Sequence, residues 1–391
     1  MALPLRVETQ DLVSAPVRVA LLATLLVAAC SGGPSNVASH TPSAPATSPS
    51  ASPSGSSNAS ATPSPVAGPT STPQPVTGAY GVLVGNQAAS TYTVSVIGVD
   101  GKVAASASAS TPASPSCAGA AAAPVPLPVS TSNTRVYYMD AQGVIRFLAP
   151  DGSSGQVASV PVPTASRRAT FAVSPDDQRI AVVVADYSST GASTRLYVEN
   201  LSGGGAHVDL FSQTGAHTLW AYGWHGTNNL VVAVVISCTQ GGGPLCCGPT
   251  ELHVVDPATA NRRFTIGGPA CRIAGPASSA GAVCEDTTGF TNASEVNWTA
   301  GVFGSFQIPG ARAAFISPDG SLVAVVDTGG GVTNVRVATT VQMLACGWID
   351  SSHLLAGGDA QQQPRIGDLT HNTISPVAAQ GDCGGRIPGG L

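Results

Sequence analysis

The chain has 391 residues, 16 of them basic and 21 acidic, for a net charge of −5. Lys102 is its one lysine and the arginines are scattered, so there is no basic stripe to serve as an electrostatic footprint for nucleic acid. Nine cysteines fit an oxidising compartment better than a reducing one.

In chain order, the first readable element is the apolar run Val19–Ala29. It falls short of the roughly 20 residues that a membrane-spanning helix needs and has the length of a signal-peptide core, with Arg18 as its positive flank. Val27-Ala28-Ala29-Cys30 follows directly. Small residues before a cysteine at this position resemble the lipobox of bacterial lipoproteins. The resemblance implies a signal peptide over 1–29 and a diacylglycerol on Cys30, which becomes the first residue. It also implies a location on the extracytoplasmic face of the cell membrane, with the membrane itself as partner through that lipid. Glu8 and Asp11 depart from the usual basic leader.

Ser31 to about Val76 is Ser, Pro, Thr and Ala with few large apolar side chains. Such a segment cannot bury enough surface to offset its ordering entropy, so 30–77 is expected to be a disordered linker behind the lipidated cysteine, and 78–391 the folded domain.

From Gly78 onward, short β-type runs alternate with turn residues. Tyr92, Val94 and Val96 alternate with Thr93 and Ser95, Leu196 and Val198 alternate with Arg195, Tyr197 and Glu199, and Arg135–Met139, Val144–Leu148 and Leu252–Val255 lead into Asp140-Ala141-Gln142-Gly143, Pro150-Asp151-Gly152 and Asp256-Pro257. Period-two alternation with such turns predicts antiparallel hairpins, and no long stretch has helical periodicity. The fold class is therefore all-β. The Ala-, Pro- and Ser-rich stretch 104–131 reads as a loop insertion, stapled through Cys117.

Two elements repeat. Phe171-Ala172-Val173-Ser174-Pro175-Asp176-Asp177 is echoed by Phe315-Ile316-Ser317-Pro318-Asp319-Gly320, and Gly223-Trp224 by Gly347-Trp348. Pro presets a turn, Asp accepts its hydrogen bonds, and Gly permits positive φ; each Trp can close one face of a sheet. The combination resembles the WD40-like and TolB-like β-propeller repeats. That resemblance implies a propeller of six or seven four-stranded blades, preceded by the signal peptide and linker. Candidate blades are 78–108, 124–162, 167–212, 216–268, 269–308, 311–341 and 342–383, with Gly78–Val84 completing the last one.

With Cys30 lipidated, eight cysteines remain: Cys117, Cys238, Cys246, Cys247, Cys271, Cys284, Cys346 and Cys383. An even set in an exported chain reads as disulfides. Spacing ranks Cys271–Cys284 first, Cys346–Cys383 second and Cys238 with Cys246 or Cys247 third, which leaves Cys117 the remaining partner. No CxxC or paired His supports a metal site.

No Gly-x-Ser-x-Gly elbow and no HExxH occurs, and no pair of acids stands out for glycoside chemistry. Asp176, Asp256, Asp319 and Asp350 read as turn residues; Glu285 and Asp286 read as adjacent acids in a loop. No catalytic, cofactor or metal residue can be nominated, and no cofactor is expected. The expected function is a non-enzymatic binding or interaction module with a protein or glycan partner. The alternative is a propeller-type hydrolase, lactonase or glycosidase-like, working at the central channel.

Overall fold

A computed structural model describes residues 72–391 except 118–120, 190, 204–206, 241–247, 309, 328–330 and 335–339. All its regular elements are β-strands, and seven four-stranded antiparallel sheets form the blades of a propeller.

Blade 1 contains β1 (Tyr80–Gly85), β2 (Thr91–Gly98) and β3 (Val103–Ser110). The short β4 (Ala121–Ala122) follows, and blade 2 is β5 (Val129–Thr131), β6 (Val136–Met139), β7 (Val144–Leu148) and β8 (Ser154–Ser159). Blade 3 is β9 (Arg167–Val173), β10 (Arg179–Ser188), β11 (Gly191–Asn200) and β12 (Phe211–Gly215). Blade 4 is β13 (His217–His225), β14 (Asn229–Ile236), β16 (Glu251–Val255) and β17 (Arg262–Gly267), with β15 (Thr239–Gln240) set aside from it. Blade 5 is β18 (Cys271–Ile273), β19 (Ala282–Asp286), β20 (Asn292–Val296) and β21 (Val302–Gln307). Blade 6 is β22 (Ala311–Ile316), β23 (Val323–Asp327), β24 (Gly331–Asn334) and β25 (Thr340–Gln342). Blade 7 is β26 (Gly347–Trp348), β27 (His353–Ala356), β28 (Arg365–Asp368) and β29 (Thr373–Pro376). The last strand, β30 (Asp382–Ile387), returns to pair with β1 as the innermost strand of blade 1.

Burial falls from the axis outward. Strands β9 and β10 are buried along nearly their whole length, whereas β8, β12 and β21 alternate toward solvent. Inner strands pack on both faces, so their sequences are continuous apolar runs such as Ile180-Ala181-Val182-Val183-Val184 rather than alternating ones. Side chains of neighbouring blades interdigitate: Tyr137, Ile145 and Phe147 of blade 2 meet Phe171, Val173 and Ile180 of blade 3 in one cluster.

The repeated motifs work as structural units. Ser174 donates from Oγ to Asp176 at 2.6 Å and accepts from Arg179 N at 2.9 Å; Ser317 donates to Asp319 at 2.7 Å and accepts from Leu322 N at 2.9 Å. Gly320 has φ 72°, and Asp177 takes the same left-handed conformation at φ 59°. That costs Asp177 more than it costs Gly, but its carboxylate accepts the hydroxyls of Tyr137 and Thr134, each at 2.7 Å, and so ties blade 3 to blade 2. The indole of Trp224 donates to Ala172 O at 3.0 Å, and that of Trp348 to Phe315 O at 3.1 Å. Each tryptophan thus joins its blade to the one before it, at the residue two positions ahead of the Ser-Pro-Asp turn.

Four expectations change. Ring closure is the reverse of the expected one: blade 7 has four strands of its own, and β30 completes blade 1. The strand Asp-Cys-Gly-Gly-Arg-Ile looks too glycine-rich for a core strand, but a Cβ on Gly384 would come within 2.8 Å of Val84 and 3.2 Å of Val129. Residues 104–110 belong to β3 and 129–131 to β5 rather than to the insertion, the Ala/Ser alternation of the first suiting an outermost strand where Ala105 and Ala109 turn inward. Glu285 and Asp286 lie at the end of β19, not in a loop. Finally, Cys238 pairs with Cys117, at a Cα–Cα distance of 6.0 Å across 121 residues, rather than with Cys246 or Cys247. Spacing ranks local pairs and cannot foresee a segment carried across the face. Cys246 and Cys247 lie outside the described residues, as does Cys30. The two local pairs form as ranked, Cys271–Cys284 within blade 5 and Cys346–Cys383 across the seam between blades 7 and 1.

Candidate functional site

The innermost strands β26, β30, β5, β9 and β13 touch in succession around the axis. Their two ends lead to different surroundings.

At the end carrying the Ser-Pro-Asp turns, residues Pro388–Leu391 run across the channel. Gly389 N donates to Ser132 O at 2.6 Å, Leu391 N donates to Trp224 O at 2.7 Å, and His225 Nδ1 lies 2.7 Å from Leu391 O. Arg386 donates to Pro388 O at 2.7 Å and to Ser279 Oγ at 3.2 Å. A cavity of about 210 Å³ remains there, bounded by Trp224, Trp348, Arg386 and Leu391.

The opposite end is roofed by the described residues of 111–128, namely 111–117 and 121–128, here called the strap. It leaves blade 1 after β3, crosses blade 3 and reaches blade 4. There Cys117 joins Cys238, and β4 pairs with β15. Ala123 and Cys117 pack on Ala185, Tyr187 and Ala192 of blade 3. Ser116 N donates to Ala165 O at 2.9 Å. The strap returns through Val125–Pro128 to start blade 2.

Beneath and beside the strap lie two neighbouring spaces that share Pro126, Pro128 and Arg168 in their walls. A cleft of about 700 Å³ is lined by Asn86 and Gln87 from blade 1, Asp359 and Gln362 from blade 7, Asp382, and the strap itself. A chamber of about 270 Å³ continues toward the axis, with Leu127, Pro128, Phe171 and Trp220 among its walls. Arg168 lines both.

Arg168 is the second residue of β9 and only 4 % exposed. Its neighbour Arg167 pairs with Asp186, Nε to Oδ1 at 2.6 Å. Arg168 points the other way. It donates through Nη1 to the strap carbonyl of Ala113 at 3.3 Å, and its Nε has no partner. Among the described residues, the buried side-chain polar atoms without a hydrogen-bond partner are Arg168 Nε and Trp220 Nε1. Both are donors, and both belong to residues lining the chamber. Burial lowers the guanidinium pKa to about 10, an effect that the nearby Tyr92 and Tyr187 oppose; the group still carries its charge at neutral pH. Burial also pushes the Tyr187 hydroxyl up, to about 12. Tyr92 donates to Met139 O at 2.7 Å.

Each carboxylate of the cleft accepts hydrogen bonds through one of its oxygens. Asp359 accepts the backbone N–H groups of Gln361 and Gln362, each at 2.9 Å, and these hold its pKa below the usual range. Asp382 accepts Gln87 Nε2 at 2.8 Å. Among the described residues no group of three His, Cys, Asp or Glu is placed to hold a metal ion.

The residues singled out in the sequence lie elsewhere. Ser174, Pro175, Asp176, Ser317, Pro318, Asp319 and Gly320 form turns at the tail end, and Trp224 and Trp348 join blades there. Asp256 and Asp350 cap turns as expected, accepting Ala258 N and Ser352 N, each at 2.8 Å. Glu285 pairs with Arg272, Nε to Oε2 at 2.6 Å, while Asp286 caps the turn to β20. Cys346 and Cys383 border the cavities as a structural bridge. Sequence reading missed Arg168 and Trp220. The available signal was a second arginine, beside Arg167, at the head of the apolar run Ala169–Val173.

No protein-family model matches the sequence, nor does any curated protein. Among solved structures, the chain is similar to an oligogalacturonate lyase in complex with manganese, at 10 % identity and TM-score 0.44, over 74 % of this chain and 89 % of that one. It is similar to a protein from Lactobacillus plantarum, at 14 % identity and TM-score 0.43, over 80 % and 97 %. It is also similar to the C-terminal WD40 domain of Sif2, at 11 % identity and TM-score 0.40, over 76 % and 82 %. The propeller assignment rests on the strand order of the chain itself.

Proposed function

We propose that this chain is a lipoprotein held on the extracytoplasmic face of the cell membrane through Cys30, whose propeller binds a protein or glycan partner at the strap end without turning it over. The observation that supports binding at this end is the cleft between blades 1 and 7, with amide side chains on its walls and a covalently tethered roof. Loops around a propeller channel carry its function, and the fold alone does not specify one. A hydrolase at the same place would draw on Asp359 and Asp382, each of which accepts hydrogen bonds from the chain through one of its oxygens.

Crosslinking and pull-down from intact cells tests the binding. Gln87→Trp fills the cleft and is expected to abolish capture of a partner held by the wild type; unchanged capture would place the partner elsewhere. Mass spectrometry of the membrane fraction tests the anchor: a diacylglycerol-modified Cys30 at the first position is expected, and an unmodified Cys30 overturns it.

A further inference from the structure

A buried charge without a counter-charge is costly: even after relaxation the penalty is several kcal/mol per ion, and it persists in native proteins where function uses it. Arg168 is such a charge. Among the described residues no carboxylate pairs with it, Tyr92 and Tyr187 are its titratable neighbours, and its side chain makes one hydrogen bond, to Ala113 O. Trp220, whose indole Nε1 is the second orphan donor, is also a wall residue of this chamber. Both atoms, Arg168 Nε and Trp220 Nε1, lack an acceptor, and Arg168 lacks a negative charge as well.

We propose that the chamber under the strap is a site for a small monocarboxylate, held by the guanidinium of Arg168. This rests on the reading of the strap end as the binding end. Three observations select the class. First, Arg168 brings one positive charge to the chamber, which a monoanion matches and a dianion exceeds. Second, Asp359 and Asp382 line the adjoining cleft and oppose a more highly charged ligand. Third, the chamber walls include Leu127, Pro128, Phe171 and Trp220, with Thr170 and Tyr222 as the polar side chains beside Arg168, a mainly apolar lining with few polar groups, as small-ligand sites have. The body of the ligand is therefore apolar and its head a carboxylate, the group whose geometry a guanidinium fork fits. The carboxylate belongs to a free organic acid or to a short peptide end, and the chemistry at Arg168 is the same for both.

The test is calorimetric titration of the full chain in mild detergent with butyrate, N-acetyl-alanyl-alanine, inorganic phosphate and the neutral isostere butyramide. Saturable binding of at least one carboxylate is expected, with butyramide at least tenfold weaker. Tighter binding of the peptide than of butyrate assigns a peptide end, and the reverse assigns a free acid. Arg168→Met is expected to weaken carboxylate binding about 10- to 100-fold, the loss of a charge-assisted hydrogen bond. Arg168→Lys keeps the charge without the fork and should fall between. Removing a lone buried charge favours folding, and circular dichroism verifies it; the butyramide comparison needs no variant. The proposal is overturned if no carboxylate binds, if butyramide binds as well as butyrate, if folded Arg168→Met binds undiminished, or if phosphate binds more tightly than every carboxylate. If carboxylates fail while Gln87→Trp still abolishes partner capture, this inference falls alone. If carboxylates bind through Arg168 while Gln87→Trp leaves capture intact, the assignment of the partner to the cleft falls and the site stands.

Discussion

At the tail end of the channel the exposed ends of the inner strands are answered from within the chain: Ser132 and Trp224 carbonyls accept backbone N–H groups of Pro388–Leu391, and Arg386 finds Pro388 O and Ser279. At the strap end, a few residues back along the same strands, Arg168 and Trp220 keep donors that nothing in the described chain accepts. The first end stabilises the ring, while the second stores a cost. Truncating a buried side chain should therefore have opposite signs at the two ends, and that difference separates structural packing from a site kept open for something else.

The largest effect is expected at Trp224, which is fully buried and hydrogen-bonded to blade 3. Trp224→Ala should cost about 3–5 kcal/mol, read from urea unfolding; a loss under 1 kcal/mol would deny the indole its role as a blade-to-blade bond. Next is the seam. Replacing Cys346 and Cys383 by Ser should cost about 2–4 kcal/mol, an effect that should vanish when wild type and variant are compared under reducing conditions. The third has the opposite sign. Arg168→Met, without ligand, should stabilise the chain by about 1–3 kcal/mol, as replacement of poorly compensated buried charge does elsewhere. A destabilised variant would show that the guanidinium is already satisfied, and the contrast between the ends would fail.

The smallest effect is a pH dependence. Burial raises the Asp319 carboxyl, but the backbone N–H of Ser321 and the hydroxyls of Ser317, Ser321 and Ser351 outweigh it and bring the pKa down to about 2. A carboxylate with a lowered native pKa contributes stability that is complete above its unfolded value near 3.8 and is lost as pH falls toward 2. Because the side chain is exposed, solvent screens the effect to on the order of 0.5 kcal/mol. Asp319→Asn should flatten thermal stability between those two pH values, and an unchanged slope would place the acid sensitivity elsewhere.

The architecture was legible where local chemistry decides it. Ser-Pro-Asp turns and tryptophans signal themselves through residue type, and the two cysteine pairs that close short segments follow from spacing. The path of the strap was not legible: 111–128 has no large apolar pattern, and Cys117 finds Cys238 because tertiary structure brings it there. Strand β30 was hidden because its glycines meet a crowded axis, the reverse of their usual role as breakers. Arg168 was hidden for a related reason. Sequence shows two adjacent arginines, and only the strand's alternation sends one to Asp186 and the other inward.

The order in which the blades complete themselves has a consequence for biogenesis. Strand β1 ends at Gly85, but its inner partner ends at Ile387. At roughly 5–20 residues per second of synthesis, blade 1 presents an unpaired inner edge for on the order of 15–60 s before its fourth strand exists. Such an edge is a template for wrong pairing. The Cys346–Cys383 bridge ties that fourth strand to blade 7, and with correct pairing it forms only after Cys383 has been brought back beside blade 7. It thus works as a receipt for correct assembly: a molecule in which it has formed has brought its last strand back beside blade 7, and one in which it stays reduced is marked, chemically, as unfinished.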